Sequence, residues 1–213
     1  MYLQKKYSLI ISSIIILFFL VACNNDESKK EPADTIILKK DKPVNKNDTT
    51  PRPAPIINIS DTVATAYSII YIKDSAFNSI RLSYKLVKIY DTLLADVIIK
   101  NKLHQTGPPQ AIYKSQKAPF FFEAGIPVDK KPAKLPKGIA FKKVPASRAV
   151  IAHYFGPYEE SVQAYQILKD WLKDLGKKPS AAPYEIYVNE SVDEEGKAID
   201  PYKVQTDIVA PYH

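Results

Sequence analysis

The sequence predicts an α+β domain made of duplicated βαββ modules, related by a pseudo-twofold, with an antiparallel sheet, one long helix per half and a cleft between the halves. Three observations lead there. "GPPQAIY" (Gly107–Tyr113) and "PFFFEAGIPV" (Pro119–Val128) are matched by "APYEIYVN" (Ala182–Asn189) and "VQTDIVAPY" (Val204–Tyr212). In this match Ile112–Tyr113 aligns with Ile186–Tyr187, Ala111 with Glu185, Glu123 with Asp207 and Pro127 with Pro211. Each copy follows a long amphipathic stretch, itself preceded by a β-branched and aromatic segment.

The elements follow in chain order. Lys5 and Lys6 precede an apolar run that ends in Leu20-Val21-Ala22-Cys23. The run is shorter than the roughly 20 residues a membrane-spanning helix needs, and its basic start and small-residue end read as a secretory signal. Leu-x-Ala-Cys resembles the lipobox of bacterial lipoproteins, which would make residues 1–22 a signal peptide and Cys23 the lipidated first residue. Cys23 is also the only cysteine, so no internal disulfide can form. Residues 23–60 are rich in Pro, Lys, Asp, Asn and Thr with few apolar clusters, and read as a disordered tether. Residues 61–213 are then one domain with room for a core of its own.

In half one, Ala64–Asp74 reads as a strand. Ile80, Tyr84, Val87, Tyr90 or Asp91, Leu94 and Val97–Ile98 recur at helical spacing, with Asn78 or Ser79 as cap. Gly107-Pro108-Pro109 ends that run, and the two matched strands follow as a hairpin. In half two, Ser147–Phe155 is a strand and Gly156-Pro157 breaks it. Glu159 and Glu160 favour a helix start, and Val162, Tyr165, Leu168, Trp171–Leu172 and Leu175 form the expected buried stripe. Gly176 is the expected stop. Two strands close the half, joined by the acidic loop Glu190–Asp200.

"AHYFGPYEES", the Trp171 helix, "APYEIYVN" and "TDIVAP", with "GPPQAIY" and "FEAGIPV" in the first half, resemble the GyrI-like small-molecule-binding domain, also known as the effector-binding domain of AraC-type regulators. The resemblance covers Ala64 to Tyr212. It implies a ligand cleft between the halves, lipophilic and often cationic aromatic ligands, and an acidic residue deep in the cleft matching Glu185.

Strand alternation gives a reading of the site that does not rest on the family. Tyr184, Ile186 and Val188 share one face, expected to lie under a helix, and Glu185, Tyr187 and Asn189 share the other. The face of Glu185 is expected to collect Tyr187, Tyr113, Phe121, Glu123 and Asp207. Aromatic rings beside a carboxylate suit an organic cation. Trp171 reads as core and His153 as a hydrogen-bonded structural histidine.

The formal charge of +7 includes two charges on Lys5 and Lys6, and the remaining lysines are scattered rather than striped. With the export signal, this argues against a nucleic-acid partner. No nucleophile elbow, His-Glu-x-x-His, cysteine pair or phosphate loop is present. The three histidines lack metal-ligand spacing, so no metal and no cofactor is expected. The expectation is therefore a lipid-anchored envelope protein that binds a small hydrophobic or cationic organic molecule, held to the membrane by Cys23. The alternatives are a hydrolase of reactive, cyclopropane-type molecules using Glu185, and an envelope interaction protein with a vestigial cleft.

Overall fold

The computed structural model describes residues 53–193 and 195–213. The expected signal peptide, Cys23 and most of the expected tether lie outside the described residues. Eight strands form one antiparallel sheet: β1 (Ile56–Ala64), β2 (Tyr67–Ala76), β3 (Gln110–Tyr113), β4 (Phe120–Val128), β5 (Ile139–Val144), β6 (Ser147–Phe155), β7 (Tyr184–Tyr187) and β8 (Gln205–Tyr212). Their order is β1-β6-β8-β7-β3-β4-β2-β5. Helices α1 (Ser79–Lys88), α2 (Ala95–Lys100) and α3 (Val162–Asp174) pack on one face.

The duplication appears directly in this order. Half one contributes β2-β4-β3 and half two β6-β8-β7, and the halves meet where β3 pairs with β7. Ala111 lies opposite Glu185 at that junction, so the two residues aligned by the sequence repeat are also cross-strand partners. The outer strands are exchanged. β1 precedes half one but pairs with β6, and β5 precedes half two but pairs with β2. Ala64 faces Ser147, and Tyr67 faces Val144 across the next gap, so the register runs on without a slip. Thus β1–β2 and β5–β6 act as two long strands that traverse both halves.

The strand β1 corrects the expected domain boundary. Ile56–Ser60, assigned from composition to the tether, are paired along β6. Neither β1 nor β5 was legible as a strand, because Asn58, Ser60, Asp61 and Lys142–Lys143 dilute the apolar alternation.

Helix α1 starts where the sequence indicates, with the Asn78 side chain accepting from the Arg81 N–H at 2.8 Å. The expected stripe holds at its end, where Leu94 and Val97 are buried, and is corrected at its start: Ile80, Tyr84 and Val87 are exposed, and Leu82 and Ile89 are buried instead. Between α1 and α2 the helix widens into a π-helical segment, Ile89–Leu94, which offsets the residue phase and carries Tyr90. In α3 the expected residues Leu168 and Leu172 are buried, but Val162 and Leu175 are exposed. Gly176 ends α3 at φ 63°, with the Lys177 N–H reaching the Leu172 carbonyl at 2.8 Å. Under the helices lie two apolar clusters, one per half, built on Ile70, Phe122 and Leu94 and on Tyr154, Leu168 and Ile208.

Candidate ligand site

Glu185 sits on the short central strand β7 and is fully buried. Its neighbours across the sheet, Ala111 on β3 and Ile208 on β8, are equally buried. The small Ala111 side chain leaves space over the junction, and phenol rings from both halves occupy it. Tyr187, two residues along the same face, donates to Oε2 at 2.9 Å. Tyr165 reaches down from α3 to Oε1 at 2.8 Å. Tyr158, on the 3₁₀ turn Tyr158–Glu160 ahead of α3, donates to both oxygens at 3.1 and 3.3 Å. Tyr113 and Tyr187 share a hydroxyl contact of 2.7 Å. Tyr90 from the π segment stands edge-on to Tyr187, ring centres 6.1 Å apart, and donates to the Gln110 carbonyl at 2.8 Å.

A buried carboxylate finds its donors in the protein. Here burial outweighs the hydrogen bonds from Tyr165, Tyr187 and Tyr158, which favour the charged form, and the Glu185 carboxyl is left raised to about 7. The phenols are raised as well. Burial, and then the nearby Glu185 charge, hold Tyr158, Tyr165, Tyr187, Tyr113 and Tyr90 above the ordinary tyrosine range. All therefore remain protonated donors. No Lys or Arg pairs with Glu185 among the described residues, so its charge is balanced only by dipoles.

The structure brings Glu185, Tyr187 and Tyr113 together but places Phe121, Glu123 and Asp207 on the opposite face. The register explains why. Glu185 lies across from Ile208, so Asp207 must point the other way, and Tyr113 lies across from Phe122, which sends Phe121 and Glu123 away. Glu123 is instead held by Lys142 at 2.7 Å and Lys73 at 3.0 Å. Asp207 accepts from His153 and Gln205, each at 2.8 Å. The helix-covered face is likewise the reverse of that expected: Glu185 and Tyr187 lie under the helices, and Tyr184 and Ile186 pack on the other side. Tyr158, Tyr165 and Tyr90 escaped sequence reasoning, because they reach the site from a turn and two helices.

The space over Glu185 is filled rather than open. Tyr158 spans from solvent to the acid: the residue is 39 % exposed and its hydroxyl touches a carboxylate that is 0 % exposed. Shallow surface cavities of about 350 and 340 Å³ lie elsewhere, on either side of Phe121. Among the described residues, no group of three or more His, Cys, Asp or Glu is placed to hold a metal.

The family model of the GyrI-like small molecule binding domain matches residues 82–212. The chain belongs to this family. Among solved structures, the GyrI-like domain is similar to the EcmrR C-terminal domain, at 18 % identity and a TM-score of 0.62, over 74 % of this chain and 98 % of that one. It is also similar to EcmrR in a DNA complex, at 19 % identity and a TM-score of 0.61, over 74 % of this chain but only 57 % of that one. A hydrolase from Listeria innocua is similar at 11 % identity and a TM-score of 0.51, over 73 % of this chain and 91 % of that one. At such identities the likeness speaks for the fold. No protein of curated function matches the chain.

Proposed function

We propose that this GyrI-like protein is an exported, lipid-anchored binder of small hydrophobic or cationic aromatic molecules. The observation that carries the reading is Glu185, a fully buried carboxyl ringed by phenols from both halves, with no cationic partner among the described residues. A lipophilic cation supplies the missing charge, and the tyrosine rings supply faces for it, each contact worth about 0.5–2 kcal/mol. Entry needs Tyr158 to swing out, because its turn is the exposed cover of the site. The leader and Cys23 supply the anchoring half of the proposal; a Cys23→Ser chain that stays in the membrane fraction would refute it.

The binding half is tested by thermal unfolding with tetraphenylphosphonium and rhodamine-type cations beside neutral aromatic isosteres. Cations should raise the melting temperature, and Glu185→Gln should weaken them far more than the neutral compounds. Equal loss for both classes would remove the charge role. A second reading rests on the carboxyl near 7, which is suited to general acid–base work on a reactive, strained-ring substrate. Turnover of such an electrophile, followed by mass spectrometry, separates it from binding alone. The filled ring also matches a vestigial cleft, whose signature would be a melting temperature unmoved by every compound.

A further inference from the structure

The face of the sheet away from Glu185 carries a second cluster. His153 on β6 stands directly across from Asp207 on β8, and its Nδ1 lies 2.8 Å from Asp207 Oδ1. Its Nε2 lies 2.9 Å from the Ser60 hydroxyl on β1. Gln205 also donates to Asp207 Oδ1, at 2.8 Å. With a carboxylate accepting at Oδ1, Nδ1 carries a proton, and in the neutral form of the ring Nε2 accepts from the Ser60 hydroxyl. We propose that Ser60, His153 and Asp207 form a nucleophilic site, separate from the Glu185 ring, that hydrolyses carboxylic esters with short apolar acyl groups.

The comparison between the halves sharpens this assignment. Glu123 occupies the place of Asp207 in half one, and Lys73 faces it as His153 faces Asp207. There, Lys73 and Lys142 make a plain ion-pair cluster. Strand pairing alone is thus served by lysine. Half two has an imidazole at the equivalent place and sets a hydroxyl against its free nitrogen. The cluster is also reachable: the His153 and Asp207 side chains are 30 % and 16 % exposed. Half-buried Ile151 lies across from Ser60 and half-buried Ile186 across from Asp207, which gives an acyl chain an apolar floor.

The chemistry balances without a cofactor. Ser60 Oγ forms a bond to the ester carbonyl carbon as its proton passes to His153 Nε2. The carbon–oxygen bond to the alcohol then breaks, and the alcohol leaves with that proton. Water repeats the sequence on the acyl-serine, releasing the carboxylic acid and restoring the hydroxyl. Asp207 is a positioning residue that holds the imidazole and stabilises its cationic form. The side-chain amide of Asn58, exposed and directly across from His153, is the proposed donor for the oxyanion.

The test uses the full chain with a fluorophosphonate probe and with p-nitrophenyl butyrate, each variant checked for an unchanged melting curve. Peptide mass spectrometry should find one phosphonyl adduct, on Ser60, and Ser60→Ala should abolish it. His153→Ala should slow labelling and ester hydrolysis by at least about 100-fold, and added imidazole should restore part of both. Asp207→Asn should slow both, with partial recovery in Asp207→Glu. A folded chain that takes no adduct at Ser60 under conditions that saturate a serine protease overturns the proposal, as does labelling indifferent to His153→Ala. Cation binding at Glu185 is unaffected by either result.

Discussion

Replacing Glu185 by Gln separates two opposing forces on one buried group. Burial disfavours the carboxylate, whereas the hydroxyls of Tyr158, Tyr165 and Tyr187 favour it, and the balance leaves the carboxyl at about 7 against an ordinary 4.5. At about 1.4 kcal/mol per tenfold change in ionisation constant, this amounts to roughly 3 kcal/mol. The sign follows from proton uptake. Between about 4.5 and 7 the folded chain holds a proton that the unfolded chain has lost. The stabilisation is complete below the unfolded value, declines as pH rises and is gone above the folded one. Gln mimics the neutral acid and does not titrate. The stability of Glu185→Gln relative to the natural chain should therefore rise by about 3 kcal/mol from pH 4 to pH 8.5, or roughly 10 °C in Tm for a domain of this size. Urea unfolding at half-unit pH steps measures that difference directly, and the other titrating groups cancel. A difference that stays flat, or one that turns in favour of the natural chain as pH rises, would show that the phenols outweigh burial. The account of Glu185 as an uncompensated carboxyl would then fail.

Four further substitutions test the supporting structure. Tyr165→Phe removes the 2.8 Å donor to Glu185 and should cost about 1–3 kcal/mol at pH 8 but less at pH 5, measured by urea unfolding. Gly125→Ala would place a methyl 2.7 Å from the Ile70 carbonyl oxygen and 2.8 Å from the Ile69 side chain, at a cost of about 1–3 kcal/mol. Gly107→Ala, whose nearest contact is 3.5 Å, should stay within about 0.5 kcal/mol, both glycine variants being measured by the same urea unfolding. For Glu123, burial is outweighed by Lys142 and Lys73, which hold the carboxyl below its usual range. Its contribution is present above about 4.5 and fades as pH falls, so Glu123→Gln should cost no more than about 1 kcal/mol at pH 7 and less at pH 3.

The sequence carried the fold further than it carried the site. The two matched hairpins, the cap at Asn78 and the stop at Gly176 all reflect local chemistry, and each lies where local chemistry puts it. The strands β1 and β5 were hidden because their partners are far away in the chain and their own alternation is interrupted by polar residues. Alternation correctly grouped Glu185 with Tyr187, but it does not say which group is covered. Hydrophobicity favours hiding Tyr184, Ile186 and Val188, and the protein instead buries the acid and lines it with hydroxyls. The misplacement of Glu123 and Asp207 has one cause, a register offset of a single residue, and register is a property of pairs that no single strand displays.

The exchange of outer strands limits how the molecule can move. Two halves joined at a single seam are free to part like the covers of a book. Here β1–β2 and β5–β6 each cross from one half to the other, laced side by side in unbroken register. Parting the halves would tear that lacing along its length, so the frame stays shut as a unit. Under the proposed binding role, access to Glu185 then falls to local motion of the side chains above it, such as the partly exposed Tyr158 on its short turn, rather than to any gaping of the halves.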